Sequence, residues 1–87
     1  MKTFMVVSTF KKDAVMPEVM AVVEEEKAKV KELQDAGRLG VIRLAVPHGK
    51  VFIEVFAEDD SAADAAVREL PMCKWWDLEV YPLSGTA

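Results

Sequence analysis

The sequence is poor in the residues that build disulfides, metal sites and membrane spans. Its 87 residues include one cysteine, Cys73, and one histidine, His48. A single cysteine cannot form an internal disulfide, and one histidine with one cysteine lacks the ligand number and spacing of a zinc or iron site. No apolar run approaches the ~20 residues that cross a bilayer, and the residues after Met1 resemble a strand rather than a signal peptide. We therefore expect a cytoplasmic protein that binds neither metal nor membrane.

The chain also lacks the motifs of nucleotide-dependent enzymes. Its four glycines form no Gly-rich phosphate loop and no dinucleotide fingerprint, and no serine lies in a nucleophile elbow. The 15 acidic and 11 basic residues give a net charge of −4, and the lysines are not gathered with aromatic residues into a groove. Nucleic-acid binding, phosphoryl transfer and hydride transfer are therefore poor candidates, whereas a small apolar, neutral or anionic molecule remains a possible ligand.

The hydrophobic period changes several times along the chain. The β-branched and aromatic run from Thr3 to Phe10 predicts a strand, and the segment from Glu18 to Ala36, free of glycine and proline, predicts a long helix that ends at Gly37. Later segments predict strands over 39–46 and 51–57, a helix over 62–70 and a strand over 75–81. With 52% hydrophobic residues, the chain should form a single domain over residues 1–87.

This order of elements predicts an α+β fold with ferredoxin-like βαββαβ topology. Its antiparallel four-stranded sheet would carry both helices on one face. In the first strand Phe4 and Val6 interleave with Met5 and Val7, so both sheet faces are apolar and two helices can cover only one of them. We expect the second face to be buried by another copy of the chain, as in a dimeric α+β barrel, giving a homodimer or a larger homo-oligomer.

Glu26 interrupts an apolar stripe on the first helix. Val19, Val23, Val30 and Leu33 follow the spacing of a core-facing surface, and Glu26 occupies the missing position. Two interpretations stay open. The carboxylate either reaches water or a neighbouring lysine at the edge of the stripe, or it is a partly desolvated base whose pKa is raised by burial. In the second case Glu26 could move a proton on and off carbon near neutral pH.

A charged pair is predicted in the hairpin formed by the second and third strands. A turn centred on His48-Gly49 would make Arg43 and Glu54 direct cross-strand neighbours, on a face shared with Phe52. Such a pair could fix the register or the subunit interface. Alternatively, Arg43 could hold a substrate carboxylate or a developing enolate oxygen, with Glu54 orienting the guanidinium and Phe52 lining the binding surface.

His48 and Trp76 are the remaining candidates. His48 has the side chain whose unperturbed pKa lies closest to neutrality, and its place in a tight turn is consistent with either a tolerated turn residue or a proton-transfer group. Trp75 and Trp76 alternate on the last predicted strand, so one should belong to the core and the other should line a pocket or the subunit contact. We place Trp76 among the substrate-binding candidates.

Several segments together resemble the muconolactone isomerase family. They are the Glu26-Lys27 pair inside the first helix, Leu70-Pro71 after the second helix and the acidic strand over 77–80, and the likeness spans nearly the whole chain. The resemblance implies a ferredoxin-like fold, a homo-oligomer built from dimers, no metal or cofactor, and migration of a lactone double bond. The stretch over 38–41 lacks the tryptophans that family members carry there.

The resemblance assigns roles to the candidates. Glu26 would remove a proton γ to the lactone carbonyl, Arg43 or a nearby donor would stabilise the dienolate, and the proton would return at the α carbon, with His48 assisting. Two other classes stay open. One is a cofactor-free monooxygenase or cyclase for an aromatic or polyketide substrate, and the other is a non-catalytic oligomeric protein that binds a small molecule.

Overall fold

A computed structural model describes residues 1–86. Four strands, β1 (Lys2–Phe10), β2 (Leu39–Ala45), β3 (Lys50–Ala57) and β4 (Trp76–Pro82), form one antiparallel sheet in the order β2-β3-β1-β4. The helices are α1 (Met16–Ala21), α2 (Val23–Asp35) and α3 (Asp60–Val67). This architecture confirms the predicted α+β, ferredoxin-like fold. Within the described residues, no helix combines the length and hydrophobicity needed to cross a membrane.

The core lies between the helices and one face of the sheet. β1 and β3 alternate between buried and partly exposed residues, and Phe4 and Ile53 are among the fully buried side chains of this face. Leu33 of α2 and Val67 of α3 pack into the same cluster. Because burial of one such side chain contributes about 1.5–3 kcal/mol, this face dominates the stability of the domain.

The opposite face of the sheet carries a second set of large apolar side chains. Met5, Val7, Phe52 and Phe56 lie there, with Val7 directly opposite Phe52 across the β1–β3 ladder. All four are partly exposed, and no helix among residues 1–86 covers them. The sequence predicts that a second copy of the chain buries this face of the sheet. The homo-oligomer stays a prediction.

The first helical region is divided into two helices, so the single helix predicted over 18–36 is wrong in this respect. α1 begins at Met16 with Pro17 in its first turn. Val22 then leaves the helical conformation, with φ −106° and ψ 10°, before α2 begins at Val23. Two adjacent β-branched residues lower the helix propensity at this junction. The break separates α1, which buries Val19, from the longer helix that carries Glu26.

The predicted helix stop and start signals are confirmed. Gly37 adopts φ 73°, and the Arg38 N–H donates to the Leu33 carbonyl over 2.9 Å, as in a Schellman motif. The Asp59 side chain caps α3 by accepting from the Ala62 N–H over 2.8 Å. α3 ends at Val67, three residues earlier than predicted. A 3₁₀ segment, Pro71–Trp75, follows, so β4 begins at Trp76.

The register between β2 and β3 differs from the predicted one. Arg43 lies opposite Phe52 rather than opposite Glu54, so the predicted direct Arg43–Glu54 pair is wrong. The turn starts one residue earlier than expected, at Val46, because the fixed φ of Pro47 suits the second position of a turn. The partner of Arg43 on β3 moves by two residues, from Glu54 to Phe52. Because side chains alternate with a period of two, Arg43 and Glu54 stay on the same face but are no longer directly paired.

Glu54 has a different neighbour, at a β-bulge in β2. The register shifts between Leu39 and Ile42, and there the Glu54 carboxylate accepts a hydrogen bond from the Val41 N–H over 3.1 Å. Gly40 makes room for this contact, because a Cβ atom at position 40 would overlap the Glu54 carboxylate. Glu54 therefore satisfies a backbone donor that the bulge leaves without a ladder partner.

Candidate functional site

A cavity of about 660 Å³ lies on the helix side of the sheet, between α1, α2 and the ends of β2 and β3. Its wall is mostly apolar and includes Met20 of α1 and Leu44 of β2. Among the described residues, five of the twenty that line it are polar or charged: Glu26, Lys27, Lys31, Gln34 and Lys50. Cavities of this size and composition suit small organic ligands with one or two polar groups.

Glu26 is the acidic residue that lines this cavity. It is half-buried on α2, and its Oε1 accepts a hydrogen bond from the Met72 backbone N–H over 2.9 Å. Its Oε2 has no hydrogen-bond partner among residues 1–86 and is not among their buried unpartnered atoms, so this oxygen is accessible. One carboxylate oxygen is thus anchored, and the other is available to a ligand or to a proton.

Burial sets the protonation behaviour of this carboxyl group. Desolvation raises the pKa of Glu26 above its ordinary value of 4.5, and the hydrogen bond from Met72 offsets part of the rise. A carboxylate in such a setting is a stronger base than one in water. It remains able to ionise, because the Met72 N–H stabilises the charged form. These are properties that a general base for carbon acids requires.

Two elements of the fold fix the position of Glu26, namely helix α2 and the 3₁₀ segment Pro71–Trp75. On α2 it shares the inward stripe with Leu33, which is fully buried. Pro71 begins the 3₁₀ segment, so the Met72 N–H lies in its first turn, where backbone donors have no partner within the helix. Glu26 supplies the missing acceptor. The Lys29–Glu69 ion pair, at 3.7 Å, ties the same region of α2 to the chain leaving α3.

Trp76 lines the same cavity as Glu26. It is 4% exposed and packs edge-on against Phe10, with ring centroids 5.9 Å apart. Its indole Nε1 is buried and has no hydrogen-bond partner among the described residues. An unpaired buried N–H is costly, and this donor lacks the partner that a buried indole usually has. The structure therefore brings two of the sequence-derived candidates, Glu26 and Trp76, to one site.

The other candidates lie elsewhere. Arg43, Phe52 and Glu54 line a smaller concavity of about 220 Å³ on the opposite face of the sheet. Arg43 is exposed there, and its side chain has no ion-pair partner among residues 1–86. His48 is exposed in the turn between β2 and β3 and lines neither concavity. The sheet thus separates Arg43 from Glu26.

Three features of the site were not anticipated from the sequence. Met72 contributes a backbone N–H, which has no sequence signature, and it lies 46 residues from Glu26. α1 contributes Met16 and Met20, whose four-residue spacing places them on one helix face and could have identified them as wall residues. Lys27 lines the cavity, although the sequence suggested it only as a neighbour for Glu26.

The described residues form no metal centre, and the sequence matches a family model. Among residues 1–86, no three His, Cys, Asp or Glu side chains lie close enough together to hold a metal ion. A family model described as muconolactone delta-isomerase matches residues 3–86. No curated protein matches the sequence. The matched range contains the whole cavity lining and nearly the whole chain.

Proposed function

The chain belongs to the muconolactone delta-isomerase family, and from this premise we propose that it moves a double bond within a small unsaturated lactone, with Glu26 as the proton-transferring base. The observation that carries the proposal is the accessible, half-buried carboxylate of Glu26 in a mostly apolar cavity. A base in this setting can transfer a proton without metal or redox help, which agrees with the chemistry that the family description names.

The proposed reaction conserves all atoms of the substrate. Glu26 Oε2 takes the proton from the carbon γ to the lactone carbonyl, and the C–H electrons pass into the ring to give a dienolate. The same carboxyl group then returns a proton to the α carbon, which leaves the double bond between the β and γ carbons. The raised pKa of Glu26 helps the first step, because a stronger base accepts the carbon proton more readily.

The dienolate oxygen needs a donor, and we assign this role to the Trp76 indole N–H. Trp76 lines the cavity and its Nε1 is buried without an acceptor, whereas Arg43 lies across the sheet. A donor that gains a partner as charge develops favours the transition state over the ground state. Trp76→Phe, which keeps an aromatic ring and removes the N–H, should lower kcat with little change in KM. An unchanged kcat would exclude this role.

Proton NMR in D₂O tests the proposed function directly. Muconolactone is incubated with the wild-type protein, with Glu26→Gln and with the control Glu25→Gln, whose parent residue is exposed and outside the cavity. We expect double-bond migration with deuterium uptake in the wild type and the control, and loss of both in Glu26→Gln. Activity that persists in Glu26→Gln would move the base elsewhere. Absence of both double-bond migration and deuterium uptake in all three proteins would favour a small-molecule-binding protein.

A further inference from the structure

We propose that Lys27 is the specificity-determining residue of the cavity and that it recognises a carboxylate on the ligand. The ligand class is then an anionic lactone, with its ring inside the cavity and its carboxylate at the mouth. This inference rests on the proposed function for the identity of the ring, but the charge preference it assigns to the cavity can be measured without turnover.

The three lysines that line the cavity differ in what their ammonium groups contact. Lys31 forms an ion pair with Asp35 at 3.0 Å. Lys50 donates to the Thr9 hydroxyl at 2.9 Å, on the other face of the sheet. Lys27 has no ion-pair or hydrogen-bond partner among residues 1–86. It is therefore the lining cation whose charge is available to a ligand.

The position of Lys27 on α2 suits this role. Successive helix residues are about 100° apart, so Lys27 lies beside Glu26 and shares a helix face with Val23, four residues earlier. Val23 also lines the cavity. A lysine in such a place lays its aliphatic stem along apolar surface and holds its ammonium group at the water interface. The base and the cation would thus contact different ends of one ligand.

The charge of Lys27 is opposite in sign to the net charge of the chain, and the side chains at the cavity mouth are apolar. The chain has a net charge of −4, so its overall field disfavours anions. The mouth of the cavity presents exposed apolar side chains, with Leu44 67% and Val46 75% exposed, and these offer no hydrogen bond from their side chains to a carboxylate. An anion that enters here therefore depends on a nearby cation for its recognition. Among the three lysines that line the cavity, Lys27 is the one whose ammonium group has no partner within residues 1–86.

Binding to the catalytically blocked Glu26→Gln protein tests the inference. The probes are muconolactone, which carries a carboxymethyl group, and its methyl ester, titrated by calorimetry or by NMR shift changes. We expect the acid to bind about tenfold more tightly than the ester, the size of one charged hydrogen bond. Adding Lys27→Met should remove this preference by weakening acid binding alone. Adding Lys12→Met, which removes a positive charge from an exposed residue outside the cavity, should leave the preference unchanged.

Four results of these titrations would contradict the assignment to Lys27. Equal affinity for acid and ester, no saturable binding of the acid, or a preference that survives Lys27→Met would overturn the assignment. A larger loss with Lys31→Met than with Lys27→Met would transfer the role to Lys31. Because these titrations use a variant that need not turn over, a wild type without isomerase activity but with a Lys27-dependent acid preference would refute the proposed function and leave this inference standing.

Discussion

Glu26 on α2 and Met72 in the 3₁₀ segment before β4 are joined by a hydrogen bond of 2.9 Å, although 46 residues separate them in the sequence. The carboxylate that we propose as the catalytic base is therefore also the acceptor for a backbone N–H. Glu26 thus contributes both to stability and to the proposed reaction. Substitutions at position 26 must be chosen to separate a loss of stability from a loss of activity.

Stability should respond differently to two substitutions of Glu26. Glu26→Ala removes the acceptor of the Met72 N–H, and we expect the free energy of unfolding to fall by about 1–3 kcal/mol. Glu26→Gln keeps an amide oxygen that can accept the same bond, so its cost should stay below about 1 kcal/mol. Urea denaturation measures both, with Glu25→Ala as the exposed control on the same helix. Equal losses for the two Glu26 variants would show that the bond contributes little.

The raised pKa of Glu26 predicts a pH dependence with a defined sign. Because the pKa of Glu26 is higher in the folded chain than the ordinary 4.5, the folded state holds this proton more tightly than the unfolded state does. The contribution of this group to stability is therefore fully present below pH 4.5 and is lost as the pH rises through the folded pKa. The difference in melting temperature between wild type and Glu26→Gln should shift against the wild type over this range. A difference independent of pH would contradict the raised pKa.

Gly40 and Glu54 should be coupled energetically. A methyl group at position 40 overlaps the Glu54 carboxylate, so Gly40→Ala must displace the side chain that accepts from the Val41 N–H. We expect Gly40→Ala to be destabilising in the wild type and clearly less so in a Glu54→Ala background, with an interaction energy of about 0.5–3 kcal/mol in a double-mutant cycle. Additive effects of the two substitutions would show that the contact at the bulge has no energetic weight.

Arg43 and His48 should be dispensable for isomerisation. Both are exposed, and neither lines the cavity that contains Glu26. We expect Arg43→Met and His48→Ala to keep kcat/KM within about twofold of the wild type, since neither would remove an interaction with the transition state. Steady-state kinetics on muconolactone measures this. A large fall in kcat for Arg43→Met would revive the role that the sequence suggested for this arginine.

The exposed apolar face of the sheet leads us to propose a homodimer formed through that face. Met5 and Phe52 lie near its centre, on the strands β1 and β3. A lysine at position 5 would have to be buried in such an interface, so Met5→Lys should convert the dimer to monomer in sedimentation velocity experiments. Glu58→Lys, an exposed position after β3, is the control and should stay dimeric. A wild-type chain that sediments as a monomer would refute the proposal.

Much of the fold was predictable because local signals and packing agree. Gly37 and Asp59 mark helix boundaries through their own backbone and side-chain chemistry, and both behave as predicted. The sequence does not indicate the break at Val22, because the junction contains no glycine or proline. Helix propensities differ only slightly among the other residues, so two adjacent valines are a weak signal. The hairpin register differs from the predicted one because Pro47, rather than His48-Gly49, sets where the turn begins through its fixed φ.

The site was predictable only in part. The inward position of Glu26 followed from helical periodicity, and its half-burial agrees with that prediction. Its partner is a backbone N–H at Met72, and no side-chain pattern can identify such a group. Arg43 and Glu26 have chemically complementary side chains, but successive residues of a strand alternate between faces, and Arg43 lies on the side away from the helices.

The strand order carries a consequence for how the chain folds. β1 is formed by the first ten residues but pairs with β3 and β4, and β4 is formed by the last part of the described chain. Contacts between such distant segments require large loops to close, which slows folding relative to a chain with local contacts. During synthesis, β1 can therefore complete its pairing only after most of the chain has emerged. Glu26 gains its Met72 partner only after that late segment has emerged and docked. The cavity would be among the last parts of the domain to be completed.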